Sequence, residues 1–177
     1  MDKAKRAREQ RRQGFTLIEL LVVLVVVGLL SAIAAPGWLR FLARHRVIAA
    51  QDKIHQGIQK AQQKAQQESL SWQLSIRENM DAVEFSVHPS SAAPSLSSWE
   101  SLGDTVVLDA ETNFASSGDI FYVQFDERGN VRYRLGRVTL SSNRFPDIKH
   151  CVIVSTLIGN SRLAQERAVQ RDNKFCY

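Results

Sequence analysis

The chain lacks the sequence marks of the common catalytic sites. It contains no glycine-rich phosphate loop, no pair of histidines at metal-ligand spacing and no G-x-S-x-G turn. Its four histidines are scattered over different predicted elements, away from any evident nucleophile with an orienting acid: His45, His55, His88 and His150. Catalytic groups can also converge from distant positions, so the missing motifs favour a non-enzyme without proving it. We predict a protein that is not an enzyme and that holds no cofactor or metal ion.

Cysteine is scarce as well, with Cys151 and Cys176 as the two present. If this part of the chain is exported, a disulfide that closes a loop of roughly two dozen residues is the natural interpretation. In the loop-entropy model such a closure contributes on the order of 3 kcal/mol. His150 and Cys151 offer two potential metal ligands, but no second CxxC or HxxxH pair accompanies them. A metal site is therefore the weaker alternative.

Acidic residues are few at the start of the chain. Residues 1–14 carry six basic and two acidic side chains, so most of the net charge of +5 lies there. The remaining chain is close to neutral. The whole-chain charge therefore gives little support to nucleic-acid binding by the folded part.

A long apolar run, Phe15–Ala35, follows this basic segment and is interrupted by few polar residues. A bilayer core about 30 Å thick needs roughly 20 apolar residues in a helix, and the run supplies them. Lys and Arg resist translocation, so the basic start predicts a cytoplasmic N-terminus and an exported C-terminal part.

Three interpretations of this N-terminal segment compete. It can be a plain signal anchor, or a cleaved signal peptide with Ala32-Ile33-Ala34 as the cleavage site. Against the signal peptide, the run exceeds the usual ~7–15 apolar residues and has a carboxylate near its start. Cleavage there would also leave Pro36-Gly37 beside the new terminus. The third interpretation is a prepilin leader.

The string Gly14-Phe15-Thr16-Leu17-Ile18-Glu19, directly after Arg11-Arg12-Gln13, supports the third interpretation. It resembles the N-terminal signature of type IV pilins and type II secretion pseudopilins. The resemblance implies that a prepilin peptidase cuts after Gly14 and methylates the new amine of Phe15. It also implies an inner-membrane protein that joins a filament of other pilin or pseudopilin subunits through its N-terminal helix. Pro36 falls where pilins commonly place a helix-bending proline, and we expect a kink there.

Glu19 needs a partner if it enters the membrane, since an acidic or basic group at the helix centre costs around 2.5–3.5 kcal/mol on translocon scales. Cleavage after Gly14 creates an amine at Phe15, one helical turn from Glu19. The resemblance implies that the partner is such an amine on a neighbouring subunit, so that the pair sets the axial register between subunits. The alternative is that Glu19 merely lies at the headgroup boundary.

The rest of the sequence predicts an α+β fold. Beyond Pro36, apolar residues recur at spacings of three, four and seven, which predicts an amphipathic helix to about Leu70. The period then changes to two, and the Gly129-Asn130 turn predicts a hairpin. Strands are expected around Trp72–Ile76, Val83–Val87, Val106–Leu108, Ile120–Phe125, Val131–Leu135, Arg137–Leu140 and Cys151–Leu157, with a loop over residues 88–104. One long N-terminal helix, transmembrane in its first half and amphipathic in its second, should thus pack on a mostly antiparallel sheet.

This pattern predicts five regions. They are a cleaved basic leader (1–14), a transmembrane helix half (15–36), an amphipathic helix half (37–70), an exported β-rich domain (71–163) and a polar C-terminal tail (164–177). The expected location is the inner membrane, single-pass, with the domain in the periplasm and later in the filament.

The C-terminal part has a second resemblance. Arg137–Ser141, Cys151–Ser155 and Gly159–Leu163 are similar to the closing segments of GspH/FimT-like minor pilins, although the extension Ala164–Tyr177 departs from them. This implies a minor subunit, structural or initiating, of a type IV pilus or a type II secretion pseudopilus. Some members of that group bind DNA through basic residues near the C-terminus. A DNA-binding minor pilin of natural transformation is therefore the alternative, and its candidate residues are Arg162, Arg167 and Arg171, with Lys174, Lys149 and Arg144 nearby.

Overall fold

The computed structural model describes residues 15–80, 82–95, 98–171 and 174–177, so the expected leader lies outside the described residues. The chain divides into two units, Met1–Leu39 and Arg40–Tyr177. A single helix, α1, runs from Leu17 to Glu68, and this confirms the long helix predicted from the sequence. α1 continues through Pro36, and the bend expected there stays a prediction.

The helix in the second unit buries one face. Its buried residues recur at helical spacing and are Val47, Ala50, Gln51, Ile54, Gly57, Ile58, Ala61 and Ala65. Four of these are alanine or glycine, so the backbone of α1 can approach the sheet closely. Phe41 is 53% exposed, so the buried stripe begins later than the apolar pattern alone suggested.

Eleven strands follow in the described part of the chain. The first six are β1 (Trp72–Asn79), β2 (Ala82–Pro89), β3 (Glu100–Ser101), β4 (Val106–Leu108), β5 (Ala115–Ser117) and β6 (Ile120–Phe125). The others are β7 (Val131–Arg132), β8 (Gly136–Ser142), β9 (Lys149–Val154), β10 (Ser161–Arg171) and β11 (Lys174–Cys176). They form two antiparallel sheets, one ordered β3-β2-β1-β6-β5 with β7 paired to β6, the other ordered β11-β10-β9-β8-β4. The α+β class predicted from the sequence is confirmed.

The core lies between α1 and both sheets, and on the first sheet it includes residues of β1, β2 and β6. Leu74 and Ile76 on β1 point to the same face and are fully buried, as is expected of alternate residues in a strand. Gly57 marks the closest approach, since a Cβ built there would lie 2.7 Å from Leu74 Cδ1 and 3.2 Å from Phe85 Cε2. Glycine at this position therefore sets how closely the helix packs.

The hairpin predicted at Gly129-Asn130 is confirmed by the pairing of β6 with β7. Asp126 organises its turn, because Oδ1 accepts hydrogen bonds from the backbone N–H groups of Arg128 at 3.0 Å and Asn130 at 2.8 Å. Burial alone would raise the pKa of Asp126, but these donors outweigh it and the pKa is lowered. Gly129 takes the left-handed conformation with φ 79°.

Several strands were not foreseen. The loop expected over residues 88–104 contains β3, a two-residue strand paired with β2. The segment expected to be a polar tail instead forms most of β10 and all of β11. These strands have little alternation of apolar and polar residues, because their faces are largely exposed and pairing with a neighbouring strand defines them.

Candidate functional sites

The first candidate site is the motif at the start of the described chain. Phe15 is exposed and precedes α1, while Gly14 lies outside the described residues. Thr16 caps the helix: its Oγ1 accepts a hydrogen bond from the N–H of Glu19 at 3.2 Å, and its carbonyl oxygen accepts one from Leu20. Thr16 and Glu19 have the spacing of a capping box. The threonine therefore has a local role that the sequence analysis did not identify.

The apolar residues after this motif are uncovered within their own unit. Leu17, Leu24 and Leu30 are each more than 60% exposed. By length and composition α1 is able to cross a membrane, and these two properties also fit a signal sequence near an N-terminus. The carboxylate of Glu19 lies at the start of this stretch.

The second candidate site is an opening of about 470 Å³ on the second sheet, which we call the basic depression because of the residues that line it. Among the described residues its lining contains five cations, one tyrosine and no acidic residue: Arg137, Arg162, Arg167, Arg171, Lys174 and Tyr177. The three arginines named from the sequence as DNA-binding candidates are thus brought together. Arg137 and Tyr177 join them unforeseen.

Strand register explains why Arg137 belongs to this group. Arg137 on β8 is opposite Ile153 on β9, which is opposite Arg162 on β10. Directly opposed residues share a face of the sheet, so the two arginines lie on the same side, one strand apart. Arg167 stacks on Tyr177 with its guanidinium carbon 5.1 Å from the ring centroid.

Lys149 and Arg144, named as nearby cations, do not line the basic depression. Lys149 pairs with Asp109 at 2.8 Å and with Glu111 at 3.5 Å. Burial would lower the pKa of Lys149, but the two carboxylates outweigh it and the pKa is raised. This lysine is therefore neutralised within the fold.

The end of the chain is held in place by three groups. Cys176 is bonded to Cys151 through a disulfide. The carboxylate of Glu111 accepts hydrogen bonds from the backbone N–H groups of Phe175 and Cys176 at 3.2–3.3 Å. Arg137 donates to the carbonyl oxygen of Cys176. The strand that carries Lys174 is thereby tied to β9 through Cys151, to β8 through Arg137, and to Glu111.

The remaining titratable groups show no metal site. Within the described residues there is no cluster of three or more His, Cys, Asp or Glu side chains. The sulfur of Cys151 is engaged in the disulfide, so it is not available as the thiolate ligand considered beside His150. His88 is next to Ser75, with Nε2 3.0 Å from the serine Oγ, inside a buried polar network on the first sheet.

Known proteins share the motif of the first candidate site. Residues 10–35 fit the family model described as the prokaryotic N-terminal methylation motif. The chain is 43% identical over 44 residues to the type IV major pilin protein PilA of Myxococcus xanthus, covering 25% of this chain and 20% of that one. It is 43% identical over 42 residues to the fimbrial protein EcpC of Eikenella corrodens, covering 24% and 28%. It is 47% identical over 36 residues to the type IV major fimbrial protein FimA of Dichelobacter nodosus, covering 20% and 23%.

These matches span only 20% to 28% of the length of the relatives. No solved structure matches the chain at a significant level. The similarity therefore concerns the N-terminal segment.

Proposed function

We propose that this chain, a type IV pilin-like protein by its methylation motif and its N-terminal homology, is a structural subunit of a filament. The observation that carries the proposal is the uninterrupted string from Gly14 to Glu19 inside the matched segment. In the proposed sequence of events, a prepilin peptidase cuts between Gly14 and Phe15 and methylates the new amine. The subunit stays in the inner membrane, with the β-rich domain outside the cytoplasm, until it enters the filament.

The exposed apolar part of α1 supports this proposal. Within its unit it has no covering partner, which suits lipid first and the helices of other subunits later. Glu19 is the one carboxylate in this stretch, and the methylated amine of a neighbouring Phe15 is a fitting counter-charge. Pairing would remove two isolated charges from apolar surroundings and fix the axial register between subunits.

Processing is tested by the N-terminus of the mature protein. The full chain is expressed in a host with a prepilin peptidase, and the membrane-extracted protein is analysed by mass spectrometry. We expect a terminal N-methylphenylalanine at Phe15. A terminus at Ala35 would instead identify a signal peptide, and an uncut chain a signal anchor; either overturns the proposal.

Assembly is tested with Glu19→Ala, with Ser31→Ala as the matched control in the same apolar stretch. The hydrogen bond from residue 19 to Thr16 comes from the backbone N–H, so the substitution leaves the helix cap intact. We expect normal processing and membrane insertion but loss of the variant from sheared filaments, while the control is incorporated. Equal incorporation of both variants would contradict the pairing role.

The finer assignment, a minor subunit of a type IV pilus or a type II secretion pseudopilus, rests on the similarity of Arg137–Ser141, Cys151–Ser155 and Gly159–Leu163 to GspH/FimT-like proteins. Quantitative mass spectrometry of purified filaments tests it. A minor subunit should be present at a small fraction of the most abundant pilin. A filament built mainly of this chain would make it the major subunit.

DNA binding is a second candidate function, and the basic depression favours it. Five cations surround one opening that no acidic side chain of the described residues lines, and Arg162 and Arg171 form no ion pair within this part of the chain. Phosphate contacts of this kind weaken with salt in proportion to their number. This site can act beside the filament role, since it lies in the β-rich unit.

Fluorescence anisotropy with labelled DNA tests this candidate on the full chain in detergent, at about 50 and 200 mM salt. We expect affinity to fall steeply with salt, and Arg162→Ala with Arg171→Ala to reduce both affinity and the salt slope. Arg144→Ala outside the depression is the control. Absent binding, or binding that neither salt nor the two substitutions weaken, would remove this candidate.

A further inference from the structure

The outer face of the first sheet is polar, uncharged at its centre, and buried. Gln124 on β6, Gln73 on β1 and His88 on β2 form one cross-strand row, with Tyr122 and Ser75 in the next. Gln124 is 7% exposed, His88 6% and Ser75 1%. The opposite face of the same strands packs against α1, so α1 does not cause the burial of this polar row. The segment following β2 folds over the row, where Ser90 donates to the carbonyl oxygen of Ser71.

This covering segment leaves an open depression of about 340 Å³, which we call the neutral depression. The polar rows form its floor, residues 90–94 one wall, and Tyr133 part of its rim. Its volume lies at the lower end of the ~300–1,000 Å³ typical of small-molecule sites. None of the lining residues that the structure describes is Asp, Glu, Lys or Arg.

Hydrogen bonds tie His88 to the floor of the depression. Its Nδ1 lies 2.9 Å from the carbonyl oxygen of Pro89, which can only accept, so Nδ1 donates there. Its Nε2 lies 3.0 Å from Ser75 Oγ and 3.3 Å from Gln73 Nε2. The ring is therefore held in one orientation beside both side chains.

Gln124 is the exception on this floor. The residue is more than nine-tenths buried, yet its side-chain amide has no hydrogen bond to another described residue. The amide atoms are not among the fully buried atoms that lack a partner, so they reach the depression and are open to a ligand there. The amide offers both donors and acceptors, the pattern needed for a hydroxyl group that does both.

Tyr133 adds a second unusual feature at the rim. Its φ of 70° is rare for a bulky residue, and its ring is 72% exposed. Such backbone conformations concentrate at ligand-binding positions, where the surrounding structure maintains them. An exposed ring above a polar floor can cover the apolar face of a ligand.

We propose that the neutral depression binds a neutral carbohydrate of one or two sugar rings. A charged ligand finds no counter-charge there, and an apolar ligand would leave the amide of Gln124 unpaired. A sugar supplies hydroxyl groups for Gln124 and Gln73 and a C–H face for Tyr133. The site acts in recognition rather than hydrolysis, because glycoside hydrolysis uses a pair of carboxyl groups and the described lining residues include none. It is separate from the assembly motif and from the basic depression, so its test is independent of both.

Saturation-transfer NMR and calorimetry on the full chain test this proposal, in a detergent without a sugar headgroup. The probes are glucose, galactose, N-acetylglucosamine, maltose and lactose. We expect at least one to bind in the millimolar range, and Gln124→Ala to weaken it about tenfold, the loss expected for one hydrogen-bonding group. Gln59→Ala, an exposed glutamine on α1, is the matched control and should bind as the unaltered chain does.

Three results would overturn the proposal. One is that none of the five sugars binds at saturating concentration. Another is that Gln124→Ala and Tyr133→Ala, both shown to be folded by thermal unfolding, bind as well as the unaltered chain. The last is that sialyllactose binds more tightly than lactose and loses this advantage in Arg171→Ala, which would locate binding in the basic depression.

Discussion

Gln51 on α1 donates hydrogen bonds from its side-chain Nε2 to the carbonyl oxygen of Cys151 at 2.7 Å and to that of Ala164 at 2.8 Å. Cys151 and Ala164 are opposed residues of β9 and β10. One buried amide therefore joins the helix to two strands of the second sheet. β9 also carries Cys151 of the disulfide, and β10 carries Arg162.

Gln51→Leu should lower the free energy of unfolding by about 1–3 kcal/mol, since two carbonyl oxygens lose their donor. The measurement is urea unfolding of the full chain in detergent, followed by tryptophan fluorescence. Gln59→Leu is the matched control, because Gln59 is exposed and contacts only His55 on the same helix. A loss no larger than that of the control would show that these two bonds contribute little.

Gly57→Ala should also destabilise the fold, by about 1–3 kcal/mol as for other overpacked cores. The added methyl group would lie 2.7 Å from Leu74 Cδ1, and Leu74 is fully buried and cannot easily move aside. Gly37→Ala is the control, with open space around its Cβ, and helix propensity predicts a slight gain there. If both variants gained stability in the same unfolding assay, the close approach at Gly57 would not constrain the packing.

Replacing both cysteines by serine should lower the free energy of unfolding by roughly 3 kcal/mol in the loop-entropy model. The effect should appear as a lower urea midpoint, and reductant should shift the unaltered chain but not the double variant. Glu111 and Arg137 alone would then hold β11. Affinity for labelled DNA, if present, should fall too, because Lys174 would lose its fixed position. An unchanged midpoint would mean that the non-covalent contacts suffice.

The pKa of His150 gives a pH prediction. Burial is the largest influence and lowers this pKa. The charge of Arg44 lowers it further, and the charge of Asp52 raises it. The folded pKa is thus below the unfolded value, so the unfolded state binds more protons as the pH falls, and acidification below about 6.5 destabilises the fold. Glu166, whose pKa is raised by burial and by Asp147, acts with the opposite sign.

The measurement is therefore a difference between two proteins. Urea unfolding of the unaltered chain and of His150→Gln at about pH 7.5 and 5 should show a smaller loss on acidification in the variant. Since Glu166 is present in both, its contribution cancels. Equal losses in the two proteins would mean that His150 does not titrate differently on folding.

The sequence predicted those elements whose pattern is periodic. The continuous apolar run and the later helical spacing located α1, and the alternation around Leu74, Ile76 and Phe85 located β1 and β2. The turn at Gly129 was visible because its conformation needs glycine. Strands β3, β5, β10 and β11 were missed, since their partners rather than their own pattern make them strands.

The pairing of strands also explains which residues of the basic depression the sequence could not predict. Arg162, Arg167 and Arg171 were found because they lie close in sequence. Arg137 joins them across an intervening strand, and no local pattern indicates which residues face one another across strands. Lys149 appeared equally suitable for DNA binding in the sequence. In the structure it pairs with Asp109 and Glu111, which are far from it along the chain and neutralise its charge.

Two glutamines farther along α1 donate side-chain hydrogen bonds to main-chain carbonyl oxygens of neighbouring loops. Gln62 donates to the carbonyl oxygens of Gly129 and Ile158, and Gln66 donates to that of Arg128. Built Cβ atoms on Gly159 and Gly129 would lie within 2.4 Å and 2.3 Å of these amides.

Because a carbonyl oxygen is common to all residues, the side chains of Arg128 and Ile158 are free to change without loss of these bonds. The two glycines are not, since both have a left-handed backbone conformation, with φ 79° at Gly129 and 82° at Gly159, which larger residues rarely adopt. Mutational tolerance in this region should therefore be sharply uneven: adjacent positions can diversify the surface at the loops, while the glycine–glutamine pairs keep the loops in place.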